Sequence, residues 1–313
     1  MLLWILISVA VLLIAALVAA YICYRIAFYV SPKKDEKVPN FDNDIYDAFR
    51  DSVAEWVAEM RAMPYQEFTV TSFDGLKLYG KFYEYKPGAP IELMFHGYRG
   101  SAERDLAGGV QRAFLVGRSV LLVDQRCCGK SEGCTITFGV NEHRDCLTWV
   151  EFVRNHFGDE VKLVLTGISM GAATVLMAGG QPLPDNVIGI LADCGYTSPK
   201  EIIRCVIRDM GIPVWLGYPF VKLGARLFGH FNLEELSPVE MVKQCRLPVI
   251  FYHGEDDDFV PCQMSREMYE ACASRKQLVT VPGAAHGLSY PVAPELYLQT
   301  LRDFFGPEAS YQE

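Results

Sequence analysis

No two of the ten cysteines are spaced as CxxC, the chain shows no internal repeat or low-complexity segment, and basic residues are outnumbered by acidic ones. Each absence removes a class of function. Without paired cysteines there is no zinc-ribbon signature, and no other ligand cluster suggests a metal. Scattered thiols, an odd number of them beyond the first thirty residues, suit a reducing compartment better than a disulfide framework. A net charge of −9 argues against nucleic acid and indicates ordinary solubility. The 313 residues, half of them hydrophobic, can bury one large core or two small ones.

Also missing is a basic segment ahead of the first apolar run. Residues 2–22, LLWILISVAVLLIAALVAAYI, have Ser8 as their only clearly polar side chain. At 1.5 Å per residue they span roughly 30 Å, the depth of a bilayer's hydrocarbon. A cleaved signal peptide has a basic n-region and a shorter apolar core, so the expectation is an uncleaved transmembrane anchor over residues 1–30. Arg25, Lys33, Lys34 and Lys37 follow the run, and the positive-inside rule then puts the bulk of the chain on the cytoplasmic side. Residues 31–64 read as a charged linker and an amphipathic helix in which Ile45, Phe49, Val53, Trp56 and Met60 recur at helical spacing. Its polar face is acidic rather than basic, so it is expected to pack on the body.

Residues 65–307 are regular. QEFTVTSF and LKLYGKFYEY flank Asp74-Gly75, a hairpin signal. IELMFHG, SVLLVDQR, KLVLTGI, VIGILADCG, PVIFYHG and QLVTVPG then alternate with helical stretches, one of which, NEHRDCLTWVEFVRNHF, has Asn141 as its expected cap. The alternation predicts an α/β fold: a mostly parallel, eight-stranded sheet with helices on both faces. Residues 196–244 interrupt the rhythm. They are helical in pattern, carry Trp215, Tyr218, Phe220, Leu227 and Phe228, and are read as a short cap over the open edge of the sheet.

One strand, KLVLTGI, runs into GISMG, which sets Ser169 between Gly167 and Gly171. Reactive groups in a parallel sheet sit at the carboxyl ends of strands, and the helix starting at Met170 adds free backbone N–H groups and a positive dipole end. Such a serine still needs a base, and the base needs an acid. Among six histidines, His96 and His253 end strands before glycine, His143 and His156 belong to a helix and its exit, and His230 lies in the cap. His286, in the glycine-rich VPGAAHGLSY after the last strand, is the candidate base. The loop HGEDDDFVP offers Asp256, Asp257 and Asp258; its spacing favours Asp257, with Asp193 as rival.

The order Ser169, Asp257, His286, together with GISMG, FHGYRGS, HGEDDDFVP and GAAHG, resembles the α/β-hydrolase fold family from about residue 66 to residue 305. VDQRCCGKSEG is similar to that family's D-x-R-G-x-G-x-S-x-G, with Cys127 in place of a glycine. The HG-Tyr loop and short cap look most like its serine-aminopeptidase and lysophospholipase-like branch. The resemblance implies a Ser169–His286–Asp257 triad, an oxyanion hole made by the backbone N–H groups of Tyr98 and Met170, and no metal or organic cofactor. The function expected is hydrolysis of carboxylic esters of apolar acyl or aryl groups through an acyl-enzyme. The partners expected are a small-molecule ester, amphiphilic or lipid if the anchor matters, and the membrane itself; oligomeric state is not legible. Two alternatives remain open at this point: a peptidase or thioesterase using the same triad, with Glu234 and Glu235 as candidates to capture an amino terminus, and a non-catalytic tethered binding protein.

Overall fold

Asp74 and Gly75 turn the chain between two antiparallel strands, with Gly75 at φ +90°, a conformation that favours glycine. The structure, a computed structural model, describes residues 1–31 and 48–306. Its helices and strands follow in chain order. α1 (Leu2–Ala27) and α2 (Arg50–Ala62) precede β1 (Gln66–Thr71), β2 (Lys77–Tyr83) and β3 (Ile91–Phe95). Next come α3 (Ala102–Leu115), β4 (Ser119–Val123), α4 (Glu142–Phe157), β5 (Leu163–Ile168), α5 (Met170–Gly179) and β6 (Val187–Asp193). The inserted helices are α6 (Pro199–Asp209), α7 (Val214–Leu227) and α8 (Pro238–Met241). The chain then runs through β7 (Val249–Gly254), α9 (Cys262–Ala271), β8 (Lys276–Val281), α10 (Ser289–Val292) and α11 (Pro294–Phe305).

All eight expected strands form one sheet in the order β1-β2-β4-β3-β5-β6-β7-β8. β2 is antiparallel to β1 and β4, and every other neighbouring pair is parallel. Side chains of the central strands alternate between faces, as a period of two requires. Leu93, Phe95, Leu121 and Leu165 join Trp149, Val153, Val175 and Met268 from α4, α5 and α9. Met94, Val120 and Leu122 face the other way and meet Leu106 and Val110 of α3 and Met60 of α2. Further along that face Leu191, Ile250 and Tyr252 pack on Tyr297 and Leu301 of α11. Both faces are therefore covered, which explains why these strands read as continuous apolar runs.

One local expectation is corrected and a second is met in part. Asn141 does precede α4, but its side chain makes no capping bond. The first-turn N–H groups of His143 and Arg144 go to the backbone carbonyls of Gly139 and Asn141, and the Glu142 carboxylate ties down the loop before the helix by accepting the N–H groups of Thr137 and Gly139, each at 2.8 Å. The second concerns the amphipathic helix. It spans Arg50–Ala62, packs on the body through Trp56, Val57 and Met60, and Ile45 lies outside the described residues.

α1 is long and apolar enough to cross a membrane. Only its last turns touch the body: Tyr24 and Phe28 are buried with Val221, Ala225 and Phe231 of the insertion, and Tyr29 bridges to Thr135.

Candidate active site

Ser169 stands where β5 gives way to α5, at φ +54°. The turn is strained for a residue with a side chain and holds only if its neighbours are small. A Cβ on Gly167 would lie 2.1 Å from the carbonyl oxygen of Gly171, and one on Gly171 would lie 2.0 Å from that of Phe95. Both glycines are thus demanded by space, and the short pattern around Ser169 is more than coincidence.

The turn brings three sequence-predicted residues together. Ser169 Oγ lies 2.9 Å from His286 Nε2, and His286 Nδ1 lies 2.7 Å from Asp257 Oδ2. The ionised carboxylate can only accept, so Nδ1 carries the proton and Nε2 is left to accept from the serine hydroxyl. The other carboxylate oxygen of Asp257 accepts the N–H groups of Phe259 at 3.0 Å and Val260 at 2.8 Å. Burial would push this carboxyl up, but the hydrogen bonds from His253 and His286 and the histidine charge outweigh it and hold the carboxyl at about 2. Asp256 and Asp258 do not join the chain of hydrogen bonds. The rival acid, Asp193, accepts instead from Ser289 Oγ at 2.8 Å and Tyr297 Oη at 3.1 Å.

His253 does more than its position in the sequence suggests. Its Nε2 donates to the carbonyl of Val260 at 2.8 Å and lies 3.2 Å from Asp257 Oδ2, while Nδ1 is 2.7 Å from Ser265 Oγ. The four-residue separation of His253 and Asp257 around one loop was the available signal. His96 follows the simpler expectation. Its Nε2 accepts the N–H of Gln125 at 3.0 Å, which leaves Nδ1 to donate to the carbonyl of Gly97 at 2.8 Å.

That bond fixes the loop over Ser169. A Cβ on Gly97 would lie 3.6 Å from the Cβ of Ser169, and the Gly97 N–H donates to Asp105 at 3.1 Å. Among the described residues, neither the Tyr98 nor the Met170 N–H is given to a protein acceptor. The Tyr98 side chain and its neighbour Arg99 reach α1 instead. Tyr98 Oη donates to the carbonyl of Ala27 at 2.7 Å, and Arg99 donates to those of Ile26 and Tyr29 at 2.8 and 3.0 Å. Cys127, which replaces a glycine of the family pattern, adopts φ +69°, the left-handed conformation a glycine would take.

A cavity of about 420 Å³ opens at Ser169 and His286 and runs between the sheet and α3. Its walls are mainly apolar: Val53 and Trp56 from α2, Met94, Ile168 and Leu191 from the sheet, and Tyr290 beyond the histidine loop. Gly108 and Gly109 open the α3 wall. No residue of the insertion 196–244 lines it. The insertion covers Met170 and Val260 on the other side and packs on α1, so the roof expected from the cap is a side wall made by α2. The sequence periodicity disclosed that α2 packs, but not on what. Glu234 bonds to Tyr218 and Lys222, and Glu235 pairs with Arg144. Neither faces Ser169.

Cys194, Asp257 and His286 place ligand atoms within 4.8 Å of one another. Burial pushes the Cys194 thiol well up, however, and both imidazole nitrogens of His286 are engaged, so the set is poorly suited to a metal.

Comparison with known proteins agrees with this architecture. A family model described as the alpha/beta hydrolase family matches residues 93–300. The chain is 26% identical over 301 residues to the uncharacterized protein YqkD of Bacillus subtilis, covering 94% of this chain and 95% of that protein. It is 25% identical over 200 residues to the lysophosphatidylserine lipase ABHD12 of Danio rerio, covering 60% of this chain and 49% of the other. The esterase Pf2001 of Pyrococcus furiosus has the same fold, with a TM-score of 0.66 at 20% identity, over 88% of this chain and 97% of that one. With the strand order, the strained turn at Ser169 and a family match across most of the sheet, the chain belongs to the alpha/beta hydrolase family.

Proposed function

We propose that this protein is a membrane-anchored serine hydrolase that cleaves carboxylic esters through an acyl-enzyme. One observation carries the reading: the continuous relay from Ser169 through His286 to Asp257, with links of 2.9 and 2.7 Å, at a strained turn. His286 takes the proton of Ser169 as its oxygen attacks the acyl carbonyl. Asp257, ionised at any physiological pH, holds the imidazole in the right tautomer and stabilises its charged form. The N–H groups of Tyr98 and Met170 receive the developing oxyanion, each donor being worth on the order of 3 kcal/mol. His286 then returns the proton to the leaving alcohol, and water attacks the acyl-enzyme by the same route in reverse.

The apolar cavity beside Ser169 favours an apolar acyl or aryl group, and its volume of about 420 Å³ is that of a small-molecule site. An ester is favoured over a peptide because the acidic pair Glu234 and Glu235 points away from the cavity. α1 anchors the enzyme, with the body on the cytoplasmic side by the charge rule. An amphiphilic or lipid ester is the substrate class that such tethering serves, and the name of the Danio rerio relative is in keeping with it.

The test is labelling by a fluorophosphonate probe of the intact chain and of Ser169→Ala, followed by a panel of p-nitrophenyl esters of rising chain length. Labelling confined to the intact chain, with turnover of the esters, is expected. Folded protein that neither labels nor turns over any ester overturns the reading in favour of a tethered binding protein.

A further inference from the structure

The insertion does not reach the cavity, yet it carries Trp215, which at 79% exposure is the most exposed large apolar side chain among the described residues that follow α1. Met210, Ile212 and Leu216 beside it are exposed as well. An apolar cluster of this kind at the tip of a helical hairpin calls for an apolar surrounding.

The packing of α7 says where the tip lies. A Cβ on Gly224 would sit 2.4 Å from the carbonyl oxygen of Ala20, and Phe231, just past α7, meets Phe28 with ring centroids 5.2 Å apart. Rising positions along α7 thus meet rising positions along α1, and the two helices run side by side in the same direction. Close approach over a small residue is the way helices pack in bilayers. Trp215 precedes Gly224 by roughly two and a half turns, about 13 Å at 1.5 Å per residue. That brings it level with Val11 and Leu12, in the middle of the α1 apolar run, where α1 itself is exposed.

Charge points the same way. Between residues 199 and 231, Lys200, Arg204, Arg208, Lys222 and Arg226 oppose Glu201 and Asp209, a net charge of +3 in a chain of net charge −9, and Glu234, just beyond, pairs with Lys200 and Lys222 to leave the excess at +2. Amphipathic segments with basic flanks and a tryptophan at the apolar end bind anionic bilayer surfaces.

We propose that the α6–α7 hairpin is a membrane wedge: its tip, residues 210–216, inserts beside α1 into an anionic bilayer, and its basic residues lie against the headgroups. The inference rests on the anchor reading of α1. It makes the hairpin a second hold on the membrane, which fixes how the body sits on the surface, where a single helix would leave it free to swing.

The experiment uses the full chain in vesicles of phosphatidylcholine and phosphatidylserine whose acyl chains are brominated near mid-depth. Tryptophan emission is compared with that of Trp4→Phe and Trp215→Phe, so that the contribution of each side chain is obtained by difference. Loss of most of the Trp4 and Trp215 emission in brominated vesicles is expected. Quenching of Trp4 without quenching of Trp215 overturns the wedge while leaving the anchor standing, and places the tip in water or against a second copy of the chain. Quenching of neither overturns the anchor and the wedge together.

Discussion

The phenolic hydroxyl of Tyr98 donates a 2.7 Å hydrogen bond to the carbonyl of Ala27, the last residue of α1. The residue offered as an oxyanion donor through its backbone is thereby tied through its side chain to the end of α1. Arg99 adds bonds to Ile26 and Tyr29, where a cation also meets the negative end of the helix dipole. Tyr98→Phe and Arg99→Ala are expected to lower kcat about tenfold, a fraction of the loss on deleting an oxyanion donor, and to leave KM little changed. Steady-state kinetics on protein counted by active-site titration measure this. An unchanged kcat would mean that His96 and Asp105 hold the loop unaided.

The turn at Ser169 leaves no room for a methyl group at position 171, where a Cβ would meet the Phe95 carbonyl at 2.0 Å. Backbone on both sides must then shift. Gly171→Ala is expected to cost roughly 1–3 kcal/mol as an overpacked site and to abolish fluorophosphonate labelling. Thermal unfolding and labelling, measured on the same preparation, check both parts.

The cavity wall predicts how acyl length is read. A Cβ on Gly109 would lie 3.2 Å from Met94 Sδ, a flexible neighbour able to yield. Gly109→Leu should therefore fold, helped by a better helix former, while filling the cavity. Turnover of acetyl esters is expected to persist and that of long acyl esters to fall at least about tenfold, since lost apolar contact is worth roughly 0.8 kcal/mol per methylene. Trp56→Ala, which opens the α2 wall, is expected to shift the preference towards longer chains. A chain-length profile of kcat/KM decides; an unchanged profile in both variants would place the acyl group elsewhere.

Acid should destabilise the fold in a defined window. Burial raises the carboxyls of Asp257 and Glu92, but the hydrogen bonds of His253 and His286 in the one case, and the charges of Arg112 and Arg118 in the other, leave both at about 2. A carboxyl whose pKa is lower folded than unfolded adds stability that is complete above its unfolded value of about 4 and is lost as pH falls through the folded value. Each can contribute on the order of 2 kcal/mol. The unfolding temperature is expected to drop steeply between about pH 4 and 2. Glu92→Gln, less stable at neutral pH, should show a shallower drop across that window, as differential scanning calorimetry would record.

Local chemistry made the fold legible. Six apolar runs, the hairpin at Asp74-Gly75 and the alternation with helical patterns point to a mostly parallel sheet covered on both faces, because strand burial and helix periodicity are written in neighbouring residues. The same is true of Ser169 and His286, each marked by glycines that its loop requires, and of the apolar length of α1. Asn141 shows the limit of such reasoning: a good capping residue stands in the right place, yet its side chain makes no capping bond.

Only the tertiary structure decided what meets what across long separations. The choice of Asp257 over its neighbours became a distance to His286, and His253 emerged as a second imidazole beside that carboxylate. The cavity beside Ser169 is walled by α2, which lies far from Ser169 in the chain, and the insertion expected to cap the sheet edge lies along α1. Periodicity says that a face is buried, but the partner depends on how the whole chain closes, and that information is held by no single segment of the sequence.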